Sequence, residues 1–284
     1  MNKVLLIVGV VVIASTAGAA SWAGQPAGPG PDESAAIPPA DTSDDQDLPV
    51  PPVPPRIAEG ADYDHCLGML ADDPEGAHSF ADAWVATGGG EAAAHCLALA
   101  DVSLGEAESG ADALDKLAAG SKAPAAARAA VFGQAGQAWL MAGDPQRALA
   151  SATQALTLTP EEPDLLIDRS IAAANLEHYD DAVEDLSRAL DLDSRRPDAL
   201  VFRSAAWRHL SQLDLARDDI DRALAQDPDN PDALLERGIL RQRGGDRTGA
   251  RQDWERAVAL DPDSATADLA QQNLALLEAG PDRR

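Results

Sequence analysis

Aromatic side chains are scarce in this chain, 4% of 284 residues, and lysine is scarcer: Lys3, Lys116 and Lys122 are all there are. Cysteine occurs twice, and β-branched residues are thin outside the first 15 positions. Each shortage excludes something. Without β-branched and aromatic runs, a sheet architecture is not expected. Without clustered Lys and Arg there is nothing to grip phosphates, and 48 acidic against 22 basic residues give a formal charge of −26. That balance excludes nucleic acid as an expected partner and repels anionic membrane surfaces. No nucleophile elbow, Walker loop, dinucleotide-binding turn or His-Glu-x-x-His occurs, so neither an enzyme nor a cofactor is expected.

Alanine and leucine carry most of the 45% apolar content. Small, helix-favouring side chains allow close helix packing, so the composition predicts an all-α protein. The first residues read as an export signal. Lys3 gives a positive start, Val4 to Ala14 form an unbroken apolar run, and Ser21-Trp22-Ala23 fits the small-x-small cleavage pattern. The run falls short of the ~20 residues that span a bilayer, so cleavage near Ala23 is expected over a retained anchor. Cys66 comes too late for a lipid-modified start. Residues 1–23 are thus a signal peptide, the expected location is periplasmic or secreted, and no integral span remains after cleavage.

Residues 24–60 are a different material. They hold ten of the chain's 20 prolines, with Asp32, Glu33, Asp41, Asp44, Asp45 and Asp47 among them, and no helical or strand period. Missing donors and like charge predict a semi-stiff, disordered, acidic linker.

Beyond it a period takes over. Pro160, Ser194, Pro228 and Pro262 are 34 residues apart; so are Pro163, Pro197 and Pro231, and the alanine sets 148, 182, 216, 250 and 155, 189, 223, 257. Repetition at this length identifies a solenoid. Within a unit, Leu200, Ser204 and Trp207 mark one helix and Ala216, Ile220, Ala223 and Leu224 a second. One such hairpin buries too little by itself, so neighbours must stack.

The pattern resembles the tetratricopeptide repeat. Four units, 129–162, 163–196, 197–230 and 231–264, keep a small eighth residue (Gly136, Ser170, Ser204, Gly238) and alanine at the twentieth and twenty-seventh. The eleventh position, usually bulky, holds Trp139, Ala173, Trp207 and Arg241; the twenty-fourth, usually aromatic, holds Ala152, Leu186, Ile220 and Trp254. Upstream, 61–90 and 91–128 read as two degenerate repeats, and 265–284 as a capping helix with a tail. The resemblance implies a right-handed α-solenoid whose first helices line a concave groove.

Three constellations are candidate sites. Cys66 and Cys96 fall on the first helices of adjacent degenerate repeats, and in an exported protein they are expected to form a disulfide. His65-Cys66 and His95-Cys96 could instead offer zinc or copper ligands, but consecutive helix residues point about 100° apart, and a metal site is not expected. Arg169, Arg203 and Arg237 are each followed 16 residues later by Asp185, Asp219 and Asp253, which reads as a ladder of structural ion pairs. On the groove side, the resemblance places Gln137, Leu140 and Met141; Ile171, Ala174 and Asn175; Ala205, Arg208 and His209; and Ile239, Gln242 and Arg243. Asn175, Arg208, His209, Gln242 and Arg243 gather donors there, in a very acidic chain, that suit a peptide's carbonyls and a carboxylate. The expected function is a scaffold binding a protein or peptide partner in the cell envelope. The alternatives are a structural or self-associating assembly module and a metal or redox binder through the two His-Cys pairs.

Overall fold

Aspartate or proline opens about half of the helices. Asp73, Asp144 and Asp246 each cap a helix start, their carboxylates accepting from the N–H of Gly76, Arg147 and Gly249 at 2.9, 3.0 and 2.8 Å. Pro74, Pro145, Pro163, Pro197 and Pro231 stand at the first helical position, where a missing N–H forfeits no hydrogen bond.

The computed structural model describes residues 55–279; the signal segment, the linker as far as Pro54 and the tail after Ala279 lie outside the described residues. These form thirteen α-helices with no strand among them. The hairpins are α1 (Ala61–Met69) with α2 (Pro74–Ala86), α3 (Gly90–Ser103) with α4 (Ala107–Gly120), α5 (Ala125–Met141) with α6 (Pro145–Leu158) and α7 (Pro163–Asn175) with α8 (Tyr179–Leu192). α9 (Pro197–His209) with α10 (Leu213–Gln226) and α11 (Pro231–Arg243) with α12 (Arg247–Leu260) follow, and α13 (Ala265–Ala279) closes the stack.

Each helix packs on the next, and first helices also meet directly, α5 on α7, α7 on α9, α9 on α11 and α11 on α13. Second helices of successive hairpins touch more sparsely. First helices in this part of the stack therefore lie closer together than second helices do, and the side they line is the inner side.

Both alanine columns are in the core, every member at most 1% exposed. Where helices cross this closely, a longer side chain has nowhere to go. The eighth and twenty-fourth positions are complementary by the same logic. Trp254 fills the last unit because Gly238 has no Cβ, which would overlap the indole, and its Nε1–H donates to the Leu235 carbonyl at 3.1 Å.

The turn inside each hairpin repeats as well. Gly143, Glu177, Ser211 and Gly245, again 34 apart, all take a left-handed backbone, with φ of 76°, 65°, 63° and 89°. Glycine adopts this freely; Glu177 and Ser211 carry a Cβ that crowds the next carbonyl.

Two details lie at the expected boundaries. Within the expected linker, Ile57 is buried at 7% exposure and Arg56 pairs with Asp64 at 2.7 Å. α5 runs from Ala125, ahead of the first expected regular unit, and buries Ala127 as well as Ala129.

Candidate functional site: the inner face of the helix stack

An Arg on a first helix and an Asp on the second, 16 residues on, are brought face to face in three units. Arg203 reaches Asp219 through Nε and Nη2 at 2.8 and 2.7 Å; Arg169 grips Asp185 at 2.7 and 2.5 Å, and Arg237 grips Asp253 at 3.0 and 2.6 Å. Asp185, Asp219 and Asp253 are all buried. Arg203 also donates to Ser187 Oγ of the unit before it, at 3.0 Å, so a ladder pair can link units too. Arg241 adds a second guanidinium on Asp253 at 2.7 Å, a partner invisible in a column that otherwise holds Trp and Ala. These pairs lock helix to helix and occupy the guanidinium of each ladder arginine.

At the opposite end, Cys66 on α1 and Cys96 on α3 are joined as a disulfide, with Cα atoms 6.3 Å apart and both residues fully buried. Beside it His95 is held on both ring nitrogens. Nδ1 meets the Tyr63 hydroxyl at 2.5 Å and Nε2 meets Gln134 Oε1 at 2.7 Å, an arrangement of the neutral imidazole. Burial holds His95 below the usual imidazole range and pushes Tyr63 up to about 12. His65 packs edge-on against Phe80, 5.3 Å between ring centres.

The inner face carries an open cleft between α7, α8 and α9. Its lining is Ser170, Ile171, Ala174 and Asn175 from α7, Tyr179, Ala182 and Leu186 from α8, and Phe202, Ala205, Ala206 and His209 from α9. The Tyr179 and His209 rings stack at 4.3 Å, 14° from parallel. Of the residues expected on the groove side, Ile171, Ala174, Asn175, Ala205 and His209 line this cleft. Asn175 is exposed, its Nδ2 donating to the Ile171 carbonyl at 2.8 Å. Arg243 is exposed and Gln242 half-buried one unit further on; Arg243 Nη1 donates to the Arg208 carbonyl at 3.4 Å.

Arg208 departs from the expectation of a ligand-facing donor. It is 7% exposed, and its Nε donates to Glu236 Oε1 at 2.6 Å. A guanidinium inside the stack needs a carboxylate beside it, and α11 supplies one. Burial pushes the Glu236 carboxyl up, with Arg208 and Arg243 pulling the other way.

Glu236 belongs to a column that pattern reading missed. Gln134, Asp168 and Glu236 occupy the sixth position of their units, and each reaches back to the preceding hairpin: to His95, to Gln137 and to Arg208. Phe202, in the same column, instead walls the cleft. Asp168 accepts from Gln137 Nε2 at 3.2 and 3.3 Å, and burial pushes its carboxyl up to about 7. The signal was available, since 134, 168, 202 and 236 share the 34-residue spacing, but three of the four are polar and read as surface.

Among the described residues no three His, Cys, Asp or Glu gather where they could hold a metal ion, and no helix is long and apolar enough to cross a membrane.

Residues 167–231 match the family model described as tetratricopeptide repeat. No curated protein matches the chain. Among solved structures, a chain of the APC/C hetero-tetramer Cut9-Hcn1 superposes with a TM-score of 0.58 at 16% identity, covering 75% of this chain and 42% of that one. The pilF protein of Pseudomonas aeruginosa superposes with a TM-score of 0.57 at 18% identity, covering 75% of this chain and 96% of its own. This chain thus spans less than half of the first and nearly all of the second. Residues 167–231 carry the tetratricopeptide repeat, and the helices around them have the all-α solenoid fold of such proteins.

Proposed function

We propose that this chain is an exported interaction scaffold that holds an extended segment of a protein partner against its inner face, anchored in the cleft between α7, α8 and α9. The cleft carries the reading: it is concave and apolar, and it lies between the first helices α7 and α9 with α8 beside them. Such recesses are the default places for a ligand to bury a side chain. Asn175, Gln242 and Arg243 stand along the same face, donors suited to the carbonyls of an extended backbone. Export rests on Lys3, the Val4 to Ala14 run and Ser21-Trp22-Ala23. The cell envelope is then where the partner is met.

A photo-crosslinking amino acid at Ala174 or Ala205, both in the cleft lining, should trap one partner segment in intact cells. The same group at Glu184, on the exposed side of α8, should not. Equal trapping from Glu184 would move the binding surface off the inner face. Crosslinks to a second copy of the chain would replace the scaffold with a self-associating module. Arg243→Ala is the cleaner test of the donor row than any change at Arg208, which would strand Glu236. Export has its own check: mature protein should begin near Gly24 in the periplasmic fraction, and intact Met1 in the cytoplasm would end that part of the proposal.

A further inference from the structure

We propose that His209 is an acid-released wall of the cleft: as a neutral imidazole it stacks on Tyr179 and completes a recess for one uncharged apolar side chain of the partner, and on protonation it leaves that place and the side chain is let go. This rests on the cleft reading above and adds its ligand chemistry and its control.

The geometry around the ring supports it. His209 ends α9 and its Nε2 lies 3.5 Å from Arg208 Nη1. A guanidinium has donors and no acceptor, so the neighbour that suits it is a lone pair, which Nε2 offers only when unprotonated. Arg208 cannot withdraw, being buried and bound to Glu236. Arg243 brings a second guanidinium to the Arg208 carbonyl. A proton on Nε2 would set N–H against N–H beside the buried Arg208, with Arg243 a second cation close by.

The other groups around the ring do not offset this. Glu236 is committed to Arg208, and Tyr179 is held neutral by burial, which raises its hydroxyl further. Glu177, exposed in the turn before α8, favours the charged ring, but burial, Arg208 and Arg243 act against it, and together they hold His209 below the usual imidazole range. The ring therefore charges only below the ordinary imidazole range, and a charged imidazole is poorly placed in an apolar wall.

The occupant follows from the same residues. Ile171, Ala174, Phe202 and Ala205 offer an added group nothing to pair with. A cation would enter beside Arg208 and Arg243, and a carboxylate would meet an apolar lining, so the recess matches a neutral apolar side chain.

The test uses the purified chain, N-acetyl-phenylalanine amide as probe, and NMR from pH 8 to pH 5. His209 should titrate below the ordinary imidazole range, and the shift that the Tyr179 ring imposes on it should vanish in the same step. Probe affinity should fall about tenfold per pH unit below that step, because only the fraction with a neutral ring is competent. His209→Phe, which keeps a flat apolar wall without the proton, should bind with no such slope; far-ultraviolet circular dichroism checks that both proteins stay folded. Binding independent of pH in the wild type, or an equal slope in His209→Phe, overturns the gate and leaves the cleft standing. No binding by either protein at any pH overturns the cleft reading and the gate with it.

Discussion

Arg203 and Asp219 meet through two parallel hydrogen bonds, 2.8 and 2.7 Å long, across the crossing of α9 and α10. Their side chains are 16% and 4% exposed, so most of the water that would screen either charge is absent. Removing one member should therefore hurt more than losing a surface pair. Asp219→Ala is expected to destabilise by about 3 kcal/mol, because Arg203 keeps its charge and loses its partner. Replacing both, Arg203→Met with Asp219→Leu, should return stability close to wild type. Urea unfolding of the three variants measures it, and an Asp219→Ala protein as stable as wild type would show that the pair is incidental.

The left-handed turns offer a gain. Glu177 and Ser211 stand where Gly143 and Gly245 stand in the units on either side. Glu177→Gly and Ser211→Gly should each stabilise by about 0.5–1 kcal/mol, the relief of Cβ crowding exceeding the added freedom of the unfolded chain. A rise in Tm for both, additive in the double variant, is the expected result; a fall in either would mean that the turn is not strained.

Asp168 makes stability depend on pH near neutrality. Its carboxyl is raised to about 7 in the folded chain against an ordinary value of 3.8. A raised acid favours the folded state below its ordinary value, and that contribution is lost as pH rises through about 7. Wild type should thus lose stability between pH 5 and pH 8, whereas Asp168→Asn, which keeps the contact with Gln137, should lose less and melt higher at pH 8. Parallel melting curves for the two proteins across that range would count against a raised Asp168.

The disulfide holds the first hairpin. α1 buries only Tyr63 and Cys66, and its start has no side-chain cap. Cys66 and Cys96 are 30 residues apart, and closing a loop of that size contributes about 3 kcal/mol by chain entropy. Hydrogen exchange after Cys66→Ser with Cys96→Ser should accelerate in α1 and α2 while α7 to α12 stay protected. Uniform acceleration along the chain would mean that the array unfolds as one unit.

Some of this was legible in the sequence. The 34-residue period is a property of the chain itself, and it specifies hairpins, alanine crossings and the Arg–Asp spacing without any knowledge of how units sit on one another. Asp219 lies 16 residues after Arg203 because a hairpin places those positions face to face, and that geometry is local. Proline and charge mark the linker, and neither singles out Ile57, whose burial depends on the folded helices.

The sequence by itself determined the helices, the repeat and the pairs inside each hairpin, because those depend on residues within one 34-residue unit. Only the tertiary structure decided which inner-face groups are free. Arg208 and Glu236 are 28 residues apart, in different units. They become a buried pair because α11 lies against α9, a contact that no single repeat encodes. Contacts between units also set Gln137 on Asp168 and His95 on Gln134, and the space beside Phe202 is left open as a cleft. Charge and side-chain type can be read along a chain, but desolvation depends on what packs alongside, and that is settled only when the units stack.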